Sequence, residues 1–312
     1  MKPFTFMLAF VFSCTALPAQ ERQLERTFSV GAAHTYRVRL TLRSEVEGQR
    51  PVPIGAKTYV ESFSRSAEVT LSWRSLSRVT SIASDGTASL EESLDEFDAP
   101  QFRSEPADEE TKKLAAALAE TLAPWSVPRT LRYRETPAGQ LIALPPEGVP
   151  ALEENAPPLL TLWLLRALRP AVTLPGKPIV FGERWQEPRA AKLENWGNVR
   201  GIESGEWFDA GGSEPAVRLH VVQQITGTVA AGADMPEAGE AQARFHAESL
   251  TTLALLDGRV LAAERSAMRE ISRTLEAVPG LPDPQRFRAK LSVQVQIEDC
   301  NDNPCRATAR PE

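Results

Sequence analysis

Three histidines (His34, His220 and His246) and three cysteines (Cys14, Cys300 and Cys305) are the residues of this 312-residue chain with the most telling chemistry. None stands in a pattern that performs nucleophilic catalysis. G-x-S-x-G and S-x-x-K do not occur, and the histidines fall in strand-like contexts. Gly176-Lys177 runs into Pro178 without the upstream glycine or the Ser/Thr of a phosphate-binding loop, and G-x-G-x-x-G is missing. No catalytic residue and no cofactor is therefore assigned. A metal site has slightly more footing. If the strands around 217–225 and 243–253 pair so that His220 faces His246, Glu248 falls beside them, and two imidazoles with a carboxylate suit zinc. A one-residue slip removes that arrangement, and two solvated strand histidines are the favoured reading. Carboxylates cluster at Glu91, Glu92, Asp95, Glu96 and Asp98, and again at Glu105, Asp108, Glu109 and Glu110. A glycosidase-like pair would have to face across a cleft. A solvated acidic face and a helix N-terminus account for both clusters.

Export is written into the first residues. Lys2, the apolar run Phe4–Phe12 and the small, turn-prone segment ending at Gln20 follow the order of a signal peptide over 1–20, with cleavage after Ala19 or Gln20. The run is shorter than the roughly 20 apolar residues of a membrane span, and no transmembrane span is expected after the leader. Val11-Phe12-Ser13-Cys14 partly fits a lipobox, which keeps a lipoprotein anchored through Cys14 as the second reading. The expected place is the periplasm or cell envelope, with secretion as the alternative. If Cys14 leaves with the leader, Cys300 and Cys305 remain, separated by the turn formers Asn301-Asp302-Asn303-Pro304. In an exported chain that spacing predicts one local disulfide. The net charge of −6 with no basic tract argues against nucleic acid and anionic membrane surfaces as partners.

The elements that would position any site are mostly strands. Strict period-two alternation runs through Tyr36, Val38, Leu40 and Leu42, and through Phe63 to Trp73 with Arg65 as the exception. It recurs at Val217–Ile225, Ala243–Leu255 and Phe287–Ile297. Asp85-Gly86, Pro137-Ala138-Gly139 and Asp257-Gly258 mark three hairpins. Helical spacing appears at 108–122, stopped by Pro124, and at 159–168, apolar on nearly every side and ending at Pro170. This gives an N-terminal β half (21–144), a proline-rich connection (145–185) carrying the apolar helix, and a C-terminal β half (186–312). Whether the halves form one sheet or two is open.

Two resemblances follow from short stretches. Asp299-Cys300-Asn301-Asp302-Asn303-Pro304 resembles the calcium-binding linker of cadherin repeats, and Glu154-Asn155-Ala156-Pro157 echoes the start of such a repeat. The two lie too far apart, no central D-R-E element exists, and a disulfide-closed turn is the better account. Pro175-Gly176-Lys177-Pro178-Ile179-Val180-Phe181-Gly182-Glu183-Arg184-Trp185 is similar to stretches in exported bacterial proteins of unknown function of the lipoprotein-carrier type. That resemblance implies a curved half-barrel, a long antiparallel sheet wrapped around helices.

The fold expected is α+β and mostly β: a long twisted antiparallel sheet, half-barrel-like, covered by two helices. The function expected is a non-catalytic cell-envelope module that binds an apolar ligand, a lipid or a protein partner. Leu160, Trp163, Leu164 and Trp185 are the candidate pocket residues. An extracytoplasmic carboxylate- or metal-dependent hydrolase is the alternative.

Overall fold

The computed structural model describes residues 24–55, 57–147, 158–174, 178–193, 197–210, 215–229, 241–275 and 285–301. The N-terminal half contributes β1 (Ala33–Ile54), β2 (Lys57–Ile82), β3 (Ala88–Asp95), β4 (Gln101–Glu105), α1 (Glu109–Leu122), β5 (Arg129–Glu135) and β6 (Leu141–Glu147). After α2 (Pro158–Ala167) come β7 (Arg184–Leu193), β8 (Gly197–Asp209), β9 (Ala216–Val229), β10 (Ala241–Ala254), β11 (Val260–Leu275) and β12 (Gln285–Asp299). These strands form one open antiparallel sheet in the order β6-β5-β3-β2-β1-β12-β11-β10-β9-β8-β7, with β4 paired to β2 off that path. The mostly-β α+β fold is thus present, and both halves share a single sheet.

The alternation explains which face is dry. Val38, Leu40 and Leu42 on β1 lie opposite Ile297, Val295 and Val293 on β12 and opposite Trp73, Leu71 and Val69 on β2, all of them buried. Side chains between them point to the outer face. At the predicted hairpins, Gly86, Gly139 and Gly258 take φ of +81°, +71° and +67°, a region open to glycine at little cost. Gly139 has a second constraint, because a Cβ there would lie 1.8 Å from the Val172 carbonyl oxygen.

The chain path dictates where the helices go. It meanders outward from β1 to the edge strand β6, and then from the opposite edge, β7, back to β12 beside β1. The connection must cross from one edge to the other, and α2 rides on it. Leu164, Leu165 and Leu168 bury against the sheet. Beyond α2 the chain bonds to both sides: Leu174 N–H donates to Ala138 O at 2.7 Å and Gly182 N–H to Trp207 O at 2.6 Å.

α1 begins as its sequence predicts. Asp108 caps it, accepting from the Thr111 N–H and hydroxyl, each at 2.7 Å, and Leu118 and Leu122 turn inward. Arg65, the break in the β2 alternation, points toward α1 and pairs with Asp108 at 3.4 Å and Glu110 at 2.6 Å. A strap ahead of β1 joins the two meanders: Leu24 is buried, Arg26 N–H donates to Pro137 O, and Thr27 N–H donates to Asp257 O. The Arg26 guanidinium reaches Glu135 at 2.9 Å. Burial pushes the Glu135 carboxyl above the usual range, against the pull of Arg26.

Three strands escape the alternation test. β4 is short and exposed, β7 carries Pro188 mid-strand, and β8 is interrupted by Gly201 and Gly205. Pro188 is tolerated because β7 lies at the sheet edge. β1 and β2 also run longer than their apolar repeats, forming a ribbon that turns at Gly55.

Candidate functional site

The inner face beneath α2 is not filled. A cleft of about 690 Å³ opens between α2, the chain that follows it, and β7–β11. A second compartment of about 450 Å³ adjoins it and shares Trp163, Arg166, Arg189, Glu203, Val221 and Gln223. Trp163 projects from α2, Trp185 from β7 and Trp207 from β8, and Ile179, Leu219 and Val221 are among the other apolar residues of the lining. On β8, Gly201 and Gly205 occupy inward positions between Val199, Glu203 and Trp207. A Cβ on Gly205 would lie 2.3 Å from the Trp185 indole, so the ring rests on bare backbone.

Polar residues share the lining with the apolar ones, and four of them, Glu187, Arg189, Glu203 and Gln223, engage one another. One carboxylate oxygen of Glu203 accepts from Arg189 and the other from Gln223, while Arg189 also reaches Glu187 at 3.4 Å. The Arg189 guanidinium is held above its ordinary value, chiefly by its hydrogen bond to Glu203 and against the effect of burial. Through these two bonds Glu203 of β8 ties together β7 and β9.

Above the cleft, Arg265 on β11 is buried and donates to the carbonyls that end α2. Its Nη1 reaches Arg166 O at 3.3 Å, Ala167 O at 2.8 Å and Arg169 O at 2.8 Å, and its Nη2 reaches Ala171 O at 2.9 Å. The negative end of the helix takes the place of a counter-ion. Burial lowers the Arg265 pKa to about 10, which still leaves it charged at neutral pH. Next to it, Arg169 Nη1 lies 3.2 Å from Glu92 Oε2, with both side chains wholly buried, and the guanidinium stands 5.9 Å over the Tyr133 ring.

Of the four expected pocket residues, the structure brings Trp163 and Trp185 to one cleft. Leu164 packs into the core, and the side chain of Leu160 lies outside the described part. Trp207, Glu203 and Gln223 were not anticipated. The available signal was the inward set Val199, Gly201, Glu203, Gly205 and Trp207, an alternation hidden by its glycines. Glu92 corrects the solvated acidic face: it takes the third inward position after Ala88 and Leu90 on β3 and is buried. The other carboxylates of that cluster pair with surface arginines, Glu91 with Arg132, Asp95 and Glu96 with Arg74, and Asp98 with Arg37.

His220 and His246 do not meet. Their strands pair with His220 opposite Leu250 and His246 opposite Gln224, an offset of four residues, or about 13 Å along the strand. His220 Nε2 instead lies 2.8 Å from Glu248 on the outer face. Among the described residues, no group of three or more His, Cys, Asp or Glu is placed to hold a metal ion. The cadherin-like stretch is also engaged internally. Asp299 accepts from Asn301 N–H at 3.0 Å and pairs with Arg259, and Cys300 N–H donates to Thr35 O. Cys305, the expected partner of Cys300, lies outside the described residues, as do Cys14 and the leader.

No protein-family model and no curated protein matches this chain. Among solved structures, one similarity is to the Salmonella SPI-1 type III secretion injectisome secretin InvG (residues 176 to the end, open gate). Identity is 10%, the match covers 86% of this chain and 61% of that one, and the TM-score is 0.15. At that score the likeness carries no argument. No described helix is long and apolar enough to cross a membrane.

Proposed function

We propose that this chain is a non-catalytic binding module of the cell envelope whose inner face takes up the apolar body of a ligand, a lipid above all. The observation that carries the reading is the cleft under α2, lined by Trp163, Trp185 and Trp207 and about 690 Å³ in volume. Small-molecule sites are concave, mostly apolar and roughly 300–1,000 Å³ in volume. The lipoprotein-carrier-like phrase at 175–185 is consistent with it, because the segment from Pro178 lines the same cleft. The envelope location rests on the leader over 1–20, and a disulfide between Cys300 and Cys305 fits that compartment.

The test is organic extraction of protein purified from its native envelope, followed by mass spectrometry of the extract and of the intact chain. Expected are a co-purifying acyl lipid, a mature N-terminus at Gln20 or Glu21, and an intact mass short of two hydrogens. In parallel, Trp163→Ala/Trp185→Ala should weaken binding of a fluorescent apolar probe by about tenfold or more. An extract without lipid, together with probe binding unchanged in the double variant, would sink the reading.

A further inference from the structure

The inner face of β11 carries Arg265, Arg269 and Arg273 at intervals of four residues, so all three turn toward the dry side of the sheet. A guanidinium turned inward needs an anion or a set of carbonyls to replace its lost hydration. Four other arginines turned to the inside have one: Arg265 has the carbonyls ending α2, Arg65 has Asp108 and Glu110, Arg169 has Glu92, and Arg26 has Glu135. Among the described residues Arg273 has none, and neither does Arg269, four residues nearer the cleft. Arg269 sits half-buried between Phe245 of β10 and Leu291 of β12, and it makes no hydrogen bond or ion pair with any described residue. Burial alone holds its pKa below the ordinary guanidinium value.

Its place relative to the cleft gives that cation a use. In the same cross-strand row, Phe245 and Ile225 line the smaller compartment. From that row to the row of Trp207 and Leu219 is six residues along β10, about 20 Å. The intervening inward positions on β10 and β9 are Ala247, Ser249, Gln223 and Val221.

We propose that the inner face is a site for an amphiphile with an anionic head, carboxylate or phosphate, held by Arg269, its acyl chain running beneath α2 toward Trp163 and Trp207. This deepens the apolar-ligand reading and rests on it. A planar guanidinium presents paired donors that match both anions, and an apolar surround strengthens the ion pair.

The experiment uses the delipidated full-length mature protein and four probes of equal chain length: dodecanoate, dodecyl phosphate, dodecanol and dodecyltrimethylammonium. Each displaces a fluorescent apolar reporter. Both anions are expected to bind at least about tenfold tighter than the alcohol, and the cation weakest. Arg269→Gln should abolish the preference for the anions without changing dodecanol affinity, Arg269→Lys should keep part of it, and Arg273→Gln should leave it intact. In the absence of ligand, Arg269→Gln should melt no lower than the parent protein, since it removes an uncompensated charge.

Tight but equal binding of alcohol and anions by the parent protein overturns this inference and leaves the apolar-ligand reading standing. A preference that survives Arg269→Gln overturns the assignment to Arg269, as does a marked fall in the melting temperature of that variant, which would reveal a structural counter-ion. Failure of every probe to bind removes both proposals.

Discussion

Glu92 and Arg169 meet where water reaches neither side chain, and their contact is Coulombic more than directional. Although Arg169 Nη1 lies 3.2 Å from Glu92 Oε2, neither atom has hydrogen-bond alignment, while Glu92 Oε1 accepts from the Ser75 hydroxyl. Removing one partner leaves the other charged and buried, which costs about 3–5 kcal/mol, whereas replacing both with apolar groups is often neutral. Glu92→Gln should therefore lower urea-unfolding stability by about that amount, and Glu92→Leu/Arg169→Met should recover most of it. A second residue-scale effect concerns His34. Burial, reinforced by Arg259, holds its pKa below the ordinary 6.5, and Asn301 Nδ2 donates to its Nδ1 at 3.1 Å. The folded state thus binds this proton less readily than the unfolded chain. The stability His34 contributes is present above about pH 6.5 and is lost as pH falls through that value and through the lower folded pKa. Melting temperatures across pH 5–8 should show the loss in the parent protein and a flatter profile in His34→Gln. An unchanged profile would remove His34 as its source.

At the scale of elements, α2 is a short apolar helix whose position depends on one side chain of the sheet. Its sequence supplies the apolar face, but Arg265 supplies the anchor by satisfying the carbonyls of Arg166, Ala167, Arg169 and Ala171. Arg265→Met should destabilise the protein by about 3 kcal/mol or more, since several carbonyls lose a charged donor at once. Amide exchange should accelerate over residues 163–174 and stay unchanged over α1. Lysine at 265 should restore less than half, because a single ammonium cannot span carbonyls that a planar fork reaches. Uniform acceleration through both helices would show that α2 has no anchor of its own. α1 was legible nearly to the residue, from its Asp108 cap to its stop at Pro124, because capping and breaking are local chemistry. The anchor of α2 was not, because Arg265 lies about a hundred residues downstream.

Across the whole molecule, the first strand pairs with the last. β1 and β12 are in register from Tyr36 with Asp299 to Gly48 with Phe287, and one apolar cluster runs from Leu40 through Val295 to Phe245. The strap at Arg26 and Thr27 joins the turns of the two meanders. Cutting the sheet between β1 and β12 would expose the centre of its core on both sides. Urea unfolding should accordingly give one transition, coincident by far-ultraviolet circular dichroism and by tryptophan fluorescence. Tryptophans report on both halves, Trp73 and Trp125 on the first and Trp207 on the second, with Trp163 and Trp185 on the connection between them. Two separated transitions would mean that 21–144 and 186–312 fold independently.

Local stereochemistry made much of this visible in the residues alone. Period-two alternation marked the dry faces of β1, β2, β9, β10 and β12, and Asp-Gly pairs marked two of their reversals. Arg65, the exception in its strand, acquires its meaning only in the structure, where it pairs with Asp108 and Glu110 at the start of α1. Which strand lies beside which was decided by tertiary structure, because β1 and β12 carry the same repeat as every other strand and nothing local pairs them. Register was decided there too. A shift by an even number of residues leaves the inward and outward sets unchanged, so the sequence permits His220 to face His246 or, as observed, Leu250. The charges on the dry face follow the same logic. Strand position turns Glu92 and Arg269 inward, but only the packing of the chain after α2 against β3 gives Glu92 its Arg169, while Arg269, opposite Phe245, has no partner among the described residues.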